Sequence, residues 1–353
     1  MVGSRSVAVP EGSSVGSPSG VDATEVLLQV RDLTVEFRVD ERWTPVVRDV
    51  SFDVAAGRTL GLVGESGSGK TVSAMALLGL TGATGGRIAA GSIRLAGTEL
   101  VGMSAEDLRQ VRGRQLGMIF QQPMRSLNPA FTVGEQIAET LRRHLGLSRK
   151  RAWARAVELL EMVRIPEPAR RAKDYPHMLS GGMCQRVVIA IAVACEPRVV
   201  IADEPTTALD VTVQRHVLAL LTDLQEEIGV GMVFVSHDLA VIAEMCDSVA
   251  VMYAGEVVEQ GTAESVFLDP VHPYTAALLA SIPRKGSGRD LRATPGSVPT
   301  PGAWPVGCHF GPRCAHAVPD RCDIAPPPLV DTGGHETRCL RHGELRLTGV
   351  GAE

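Results

Sequence analysis

From Val26 the chain sets short apolar runs between polar ones, at periods that change along its length. Residues 27–37 alternate apolar and polar in part, as a strand with one buried face does. Residues 50–54 read as a second short strand, and Thr59–Val63 as a third that runs into a glycine-rich loop. Residues 72–80 follow as an apolar, helix-compatible stretch. Over residues 149–163, charged and apolar positions recur at spacings of three and four, which predicts a helix. Residues 183–194 predict a second. Residues 198–202 are apolar on both faces, as in a strand covered on both sides. A long amphipathic helix over Val211–Ile228, a strand over Gly231–Val235 and a short helix over Leu239–Met245 come next. Ser248–Tyr253 and residues 256–259 read as a closing strand pair. This alternation predicts an α/β fold, a mainly parallel sheet covered by helices.

Two stretches depart from the pattern. Residues 1–23 are dominated by Ser, Gly and Pro and predict a disordered tail. Residues 283–305, rich in Pro, Gly, Ser and Arg, read as linker. No internal repeat is visible, so one α/β domain is expected rather than a tandem pair. The expected division is a tail over 1–24, a main domain over 25–268 and a loop-rich extension over 269–353.

Composition adds three constraints. Hydrophobic residues are 44% and aromatics only 4%, so the core must rest on Val, Leu, Ile and Ala. A net charge of −5 argues against nucleic acid as the main partner. The longest apolar run, residues 187–195, is nine residues, against the roughly 20 that a membrane-spanning helix needs. The first twenty residues lack the apolar stretch of a secretory signal. The expected compartment is the cytosol or the cytosolic face of a membrane.

The chemistry begins at Gly64-Glu65-Ser66-Gly67-Ser68-Gly69-Lys70-Thr71, which fits the phosphate-loop pattern in full. A loop wrapped around a polyphosphate must turn its N–H groups inward, and glycines permit that geometry. The following helix aims its N-terminus at the phosphates. Lys70 would neutralise the β and γ phosphates, and the Thr71 hydroxyl would bind Mg²⁺. Further on, the apolar strand ends in Asp203-Glu204, where ligands bind in open α/β sheets. Asp203 would hold Mg²⁺ and Glu204 would polarise the attacking water. Leu179-Ser180-Gly181-Gly182 opens a helix, and small residues there suit an anion.

With these motifs in order, the chain resembles the ATP-binding subunit of ABC transporters over residues 26–268. Gly64 to Thr71 looks like Walker A, and Gln121 in Phe120-Gln121-Gln122-Pro123 like the Q-loop glutamine. Ser180, Gly181 and Gly182 resemble the signature motif, Asp203 and Glu204 Walker B, and Ala208-Leu209-Asp210 the D-loop. His237 resembles the switch histidine. The resemblance implies a RecA-like core with an antiparallel β subdomain and a helical subdomain near residues 122–190. It implies ATP and Mg²⁺ as ligands, with Thr71, Gln121 and Asp203 on the metal. It also implies head-to-tail pairing with a second ATP-binding subunit, so that Ser180, Gly181 and Gly182 contact the partner's ATP. Glu204, His237 and Gln121 are the implied catalytic set. Phe37 is the candidate for stacking on adenine, with Trp43 as the second choice and a plain core role for Phe37 as the third. Relatives commonly carry a polar or basic residue at position 184. Cys184 stands there in this chain, which would change local polarity at the dimer seam.

His272-Pro273-Tyr274-Thr275 and the following leucines, with Ser126-Leu127-Asn128-Pro129, resemble oligopeptide and dipeptide importers. That subfamily pattern is shared by nickel, glutathione and some sugar importers. It implies two permease subunits, an extracytoplasmic binding protein and a place on the cytoplasmic face of the membrane. A soluble ABC ATPase acting on ribosomes or DNA is the remaining alternative. Such proteins usually have tandem domains or a long coiled-coil insertion, and this sequence has neither.

Seven cysteines complete the inventory, and four of them, Cys308, Cys314, Cys322 and Cys339, cluster near the end. In a reducing cytosol a metal site is a better reading than disulfides. No pair shows the two-to-four-residue separation usual in zinc sites. The open spacing suits a [4Fe–4S] cluster, with zinc and free thiols or disulfides as the other readings. His309, His316, His335 and His342 lie close enough in sequence to replace a ligand.

Overall fold

In the computed structural model, which describes residues 25–207, 209–282 and 294–350, two sheets carry the fold. The chain opens with β1 (Val26–Val39), β2 (Arg42–Ala55) and β3 (Thr59–Val63). Then come α1 (Lys70–Leu77), β4 (Gly86–Leu95), β5 (Thr98–Glu99), α2 (Ala105–Val111) and β6 (Leu116–Ile119). A helical stretch follows: α3 (Pro123–Ser126), α4 (Val133–Leu145), α5 (Arg149–Met162), α6 (Pro168–Arg171) and α7 (Gly181–Val193). The chain returns to the sheet with β7 (Val199–Asp203), α8 (Val211–Ile228), β8 (Gly231–Val235), α9 (Leu239–Met245) and β9 (Ser248–Tyr253). Next are β10 (Glu256–Thr262), α10 (Ala263–Leu268) and α11 (Pro273–Ala280), and the tail adds β11 (Val330–Asp331) and β12 (His335–Thr337). The disordered tail expected over 1–23 and part of the expected linker lie outside the described residues.

Strands β9, β3, β8, β7 and β6 lie side by side and parallel. Their apolar runs do not alternate because both faces are covered. Leu60, Leu62, Val199, Ile201, Val233 and Val235 belong to a core shared with the antiparallel sheet β2-β1-β4-β5. The residues between them, Val200, Ala202, Met232 and Phe234, belong to a second core, with the helices. Each fully buried Val or Leu contributes about 1.5–3 kcal/mol, so both faces of one strand stabilise the sheet.

The tail joins the same sheet. β10 runs antiparallel to β9, and β12 pairs with β10 through Glu259↔Thr337. The Arg338 guanidinium donates to the carbonyls of Val257, Pro327 and Asp49, which ties the tail to β10 and β2. Among the described residues no helix is long and apolar enough to cross a membrane.

Candidate nucleotide site

Four loops leave the carboxyl ends of adjacent parallel strands, where open α/β sheets bind ligands. The loop after β3 is the phosphate loop. Gly64 (φ +149°), Gly67 (φ +81°) and Gly69 (φ +105°) adopt backbone that L side chains rarely take. A Cβ at Gly64 would stand 2.1 Å from the Met252 carbonyl oxygen, so only glycine fits there. Lys70 is buried, and its Nζ donates to the Gly64 carbonyl (2.7 Å), the Glu65 carbonyl (2.9 Å) and Ser68 Oγ (3.3 Å). Burial lowers the Lys70 pKa, and the charges of Glu204, Asp203 and Glu65 oppose that shift. Ser66 and Gly67 lie on the exposed crest of the loop.

β7 delivers the two acids to the same place. Thr71 Oγ1 donates to Asp203 Oδ1 at 3.3 Å. Burial pushes the Asp203 carboxyl up to about 6, against the Thr71 hydrogen bond and Lys70. Glu204 sits at φ +47°, with its N–H on the Val235 carbonyl at 2.9 Å. That conformation turns its carboxylate toward the neighbouring loops. Gln121 Nε2, from the loop after β6, donates to Glu204 Oε2 at 2.6 Å. Thr207 Oγ1 donates to the same oxygen at 2.8 Å. His237 Nδ1, from the loop after β8, lies 3.1 Å from Glu204 Oε1. Burial works to raise the Glu204 pKa, but the hydrogen bonds from Thr207 and His237 and the charges of His237 and Lys70 outweigh it. The net shift is downward, and the carboxylate stays ionised. A base held ionised beside a buried lysine and a hydroxyl–carboxylate pair is equipped to activate water against a phosphate.

The other predicted residues stand apart. Ser180 caps α7, its Oγ accepting the Met183 N–H at 3.3 Å, and Ser180 and Gly181 are exposed. A Cβ at Gly182 would meet Val213 Cγ1 at 2.7 Å, so this turn packs on the start of α8. Asp210 caps α8 through the Val213 N–H at 2.9 Å and is exposed, while Ala208 lies outside the described residues. Phe37 is half-buried in β1 and its ring covers Gly86. Trp43 is 40% exposed, with the Arg87 guanidinium 4.3 Å from its ring centroid.

One expectation is corrected. Cys184 does not alter the exposed seam, because its side chain is fully buried in the helical core with Sγ 3.4 Å from the Pro176 carbonyl.

The four late cysteines are unpaired and line one cavity together with His272, Phe310 and His316. His272 accepts the Tyr274 N–H at Nδ1, and its buried Nε2 has no partner. Among the described residues no group of three or more His, Cys, Asp or Glu is placed to hold a metal ion. Two of the nearby histidines are engaged elsewhere, His309 with the Ala254 carbonyl and Arg48, and His335 with Glu259.

Motif reading missed Thr207, whose hydroxyl shares Glu204 with Gln121, although its place three residues after the acid was a signal. It also missed Tyr274 and Arg313, which reach the phosphate loop from the tail. Nothing in local spacing marks those two.

Comparisons with known proteins identify the family. The ABC transporter family matches residues 47–207, and the oligopeptide/dipeptide transporter C-terminal region matches residues 258–322. A peptide import ATP-binding protein of Brucella abortus (strain 2308) is 48% identical over 318 residues, covering 90% of this chain and 95% of the relative. Another from Brucella melitensis biotype 1 is 48% identical over 332 residues, covering 90% and 98%. A dimeric ATP-binding cassette in a post-hydrolysis state, bound to ADP and Pi, superposes with a TM-score of 0.60 at 28% identity, covering 67% of this chain and 99% of that one. The chain therefore belongs to the ATP-binding subunits of ABC transporters, in the group of the peptide import ATP-binding proteins, and is an ATPase of that family.

Proposed function

We propose that this chain hydrolyses ATP to drive peptide import, at an interface with a second ATP-binding subunit. The observation that carries the chemistry is the convergence of Gln121, Thr207 and His237 on Glu204, next to the Thr71–Asp203 pair. Glu204 is the base, Lys70 neutralises phosphate charge and His237 orients the γ-phosphate. Thr71, Asp203 and Gln121 offer the hard oxygen donors that suit Mg²⁺. When bound, that ion supplies charge neutralisation at the phosphates.

The exposed residues Ser180, Gly181 and Asp210 support head-to-tail pairing, since the Ser180 and Asp210 side chains satisfy only their own helices, and Gly182 beside them is held against α8. Peptide cargo is supported by the names of the relatives and by the C-terminal match. Two permeases and an extracytoplasmic binding protein complete the assembly, which holds this chain at the cytoplasmic face. Adenine stacking falls to Phe37 or to the more exposed Trp43. The division at residues 25–268 and 269–353 separates ATPase from extension, although β12 and Arg338 join the two.

For the cysteines we propose a [4Fe–4S] cluster held by Cys308, Cys314, Cys322 and Cys339. Their shared cavity supports it, although their present positions do not converge on one metal ion. A single zinc needs its sulfurs within about 2.3 Å of one point, whereas a cluster presents a different iron to each thiolate. When bound, the cluster cross-links four loop segments. An iron-free, colourless preparation made anaerobically would remove this reading.

The test of the main reading is Glu204→Gln. ATP binding should persist while turnover falls about 10²–10⁴-fold, the usual contribution of a general base. Unchanged turnover would sink Glu204 as base.

A further inference from the structure

The phosphate loop of this chain carries an acid. Glu65 follows Gly64 directly, and its charge acts on Lys70. A carboxylate in a cradle built for a polyphosphate should repel the ligand. Arg313, from the cysteine-rich tail, meets this acid. Its side chain is 7% exposed, and Nη1 lies 3.2 Å from Glu65 Oε1 and 3.1 Å from Oε2. The other guanidinium donors are held as well. Nη1 also donates to Tyr253 Oη at 3.2 Å, Nε to the Pro295 carbonyl at 2.9 Å and Nη2 to the Thr294 carbonyl at 3.4 Å. The backbone of the same loop residue is held separately, with the Glu65 N–H donating to Tyr274 Oη at 2.8 Å. Tyr253, Tyr274 and Phe310 pack beneath the pair with their rings tilted or edge to face, at centroid distances of 4.6 and 5.3 Å. An arginine this constrained loses little further freedom in forming the pair, and the pair is shielded from solvent on the arginine side.

We propose that Arg313 is a positioning residue of the nucleotide site: it neutralises Glu65, so that the phosphate loop can accept a triphosphate, and the tail thereby completes the site. The inference rests on the reading that the loop binds ATP. It goes beyond that reading because it gives a residue 248 positions away in sequence a part in nucleotide affinity. A merely structural strap would hold the loop's shape, and its loss would not depend on the charge at position 65.

Equilibrium ATP binding to the full-length chain separates the two. Arg313→Gln should weaken ATP about tenfold, as one unmasked charge near the phosphates implies. Glu65→Gln alone removes the acid and leaves the Arg313 charge unpaired beside the phosphates, so it should tighten ATP binding, by up to about threefold. Glu65→Gln placed in the Arg313→Gln chain should restore most of the lost affinity. Arg313→Lys, which keeps the charge and loses the fork, should fall between. A parent chain that binds no ATP would remove the nucleotide reading itself. With a parent that binds, three results would overturn the proposal. One is an Arg313→Gln chain with parental affinity. Another is a double variant as weak as Arg313→Gln. The third, which stands even if Arg313→Gln does not fold, is a tenfold loss in Glu65→Gln alone.

Discussion

The two halves of the nucleotide face are built in opposite ways. On one, Thr71 bonds to Asp203, and Gln121, Thr207 and His237 converge on Glu204, beside the buried Lys70. On the other, Ser180 and Asp210 cap their own helices and face outward. Among the described residues no hydrogen bond joins the second set to the first. A site that needed only its own chain would close both halves on one ligand. Under the proposed pairing, the linked half prepares the reaction and the exposed half is an edge that serves another surface.

The comparison can be broken first at the linked half. His237→Ala removes a partner of Glu204 and a donor toward the γ-phosphate. Turnover should fall about 10²–10³-fold, as when one transition-state donor is removed, with ATP affinity preserved. Equal losses in affinity and turnover would mean that His237 only binds. A smaller effect follows from Asp203, whose carboxyl burial pushes up to about 6. Mg²⁺ needs the ionised form, so Mg·ATP affinity should weaken as pH drops through about 6, and binding there should release a proton. Asp203→Asn should remove that dependence. The same shift acts on the fold with the opposite sign. In the nucleotide-free chain it favours the folded state below the ordinary aspartate range, and that contribution is lost as pH rises through about 6. The smallest effect belongs to Cys184, buried in the helical core behind the exposed half. Cys184→Ser should cost about 1 kcal/mol of stability, the scale of one buried polar contact, and leave both nucleotide parameters unchanged. A change in turnover would return Cys184 to the seam.

Legibility followed the same division. Gly64 to Thr71, Asp203, Glu204 and His237 could be read because each lies where an apolar run stops, and α8, β8 and α9 lie where their periodicity placed them. Strand β4, Gly86–Leu95, was not legible, since its glycines and alanines carry little strand signal and its pairing with β1 is what forms it. The polarity assigned to Cys184 failed for a related reason. A residue four places after a cap turns with the helix, and here that turn points inward. The link from Arg313 to Glu65 could not be read, because it joins residues that only the folded tail brings together.

The central claim is that this chain's exposed half serves a nucleotide held elsewhere. Ser180→Arg tests it most directly, with ATP affinity measured on the isolated chain and turnover on the assembled transporter. The account predicts parental affinity and lost turnover. A matching loss of affinity in the isolated chain, or unchanged turnover in the assembly, would contradict it.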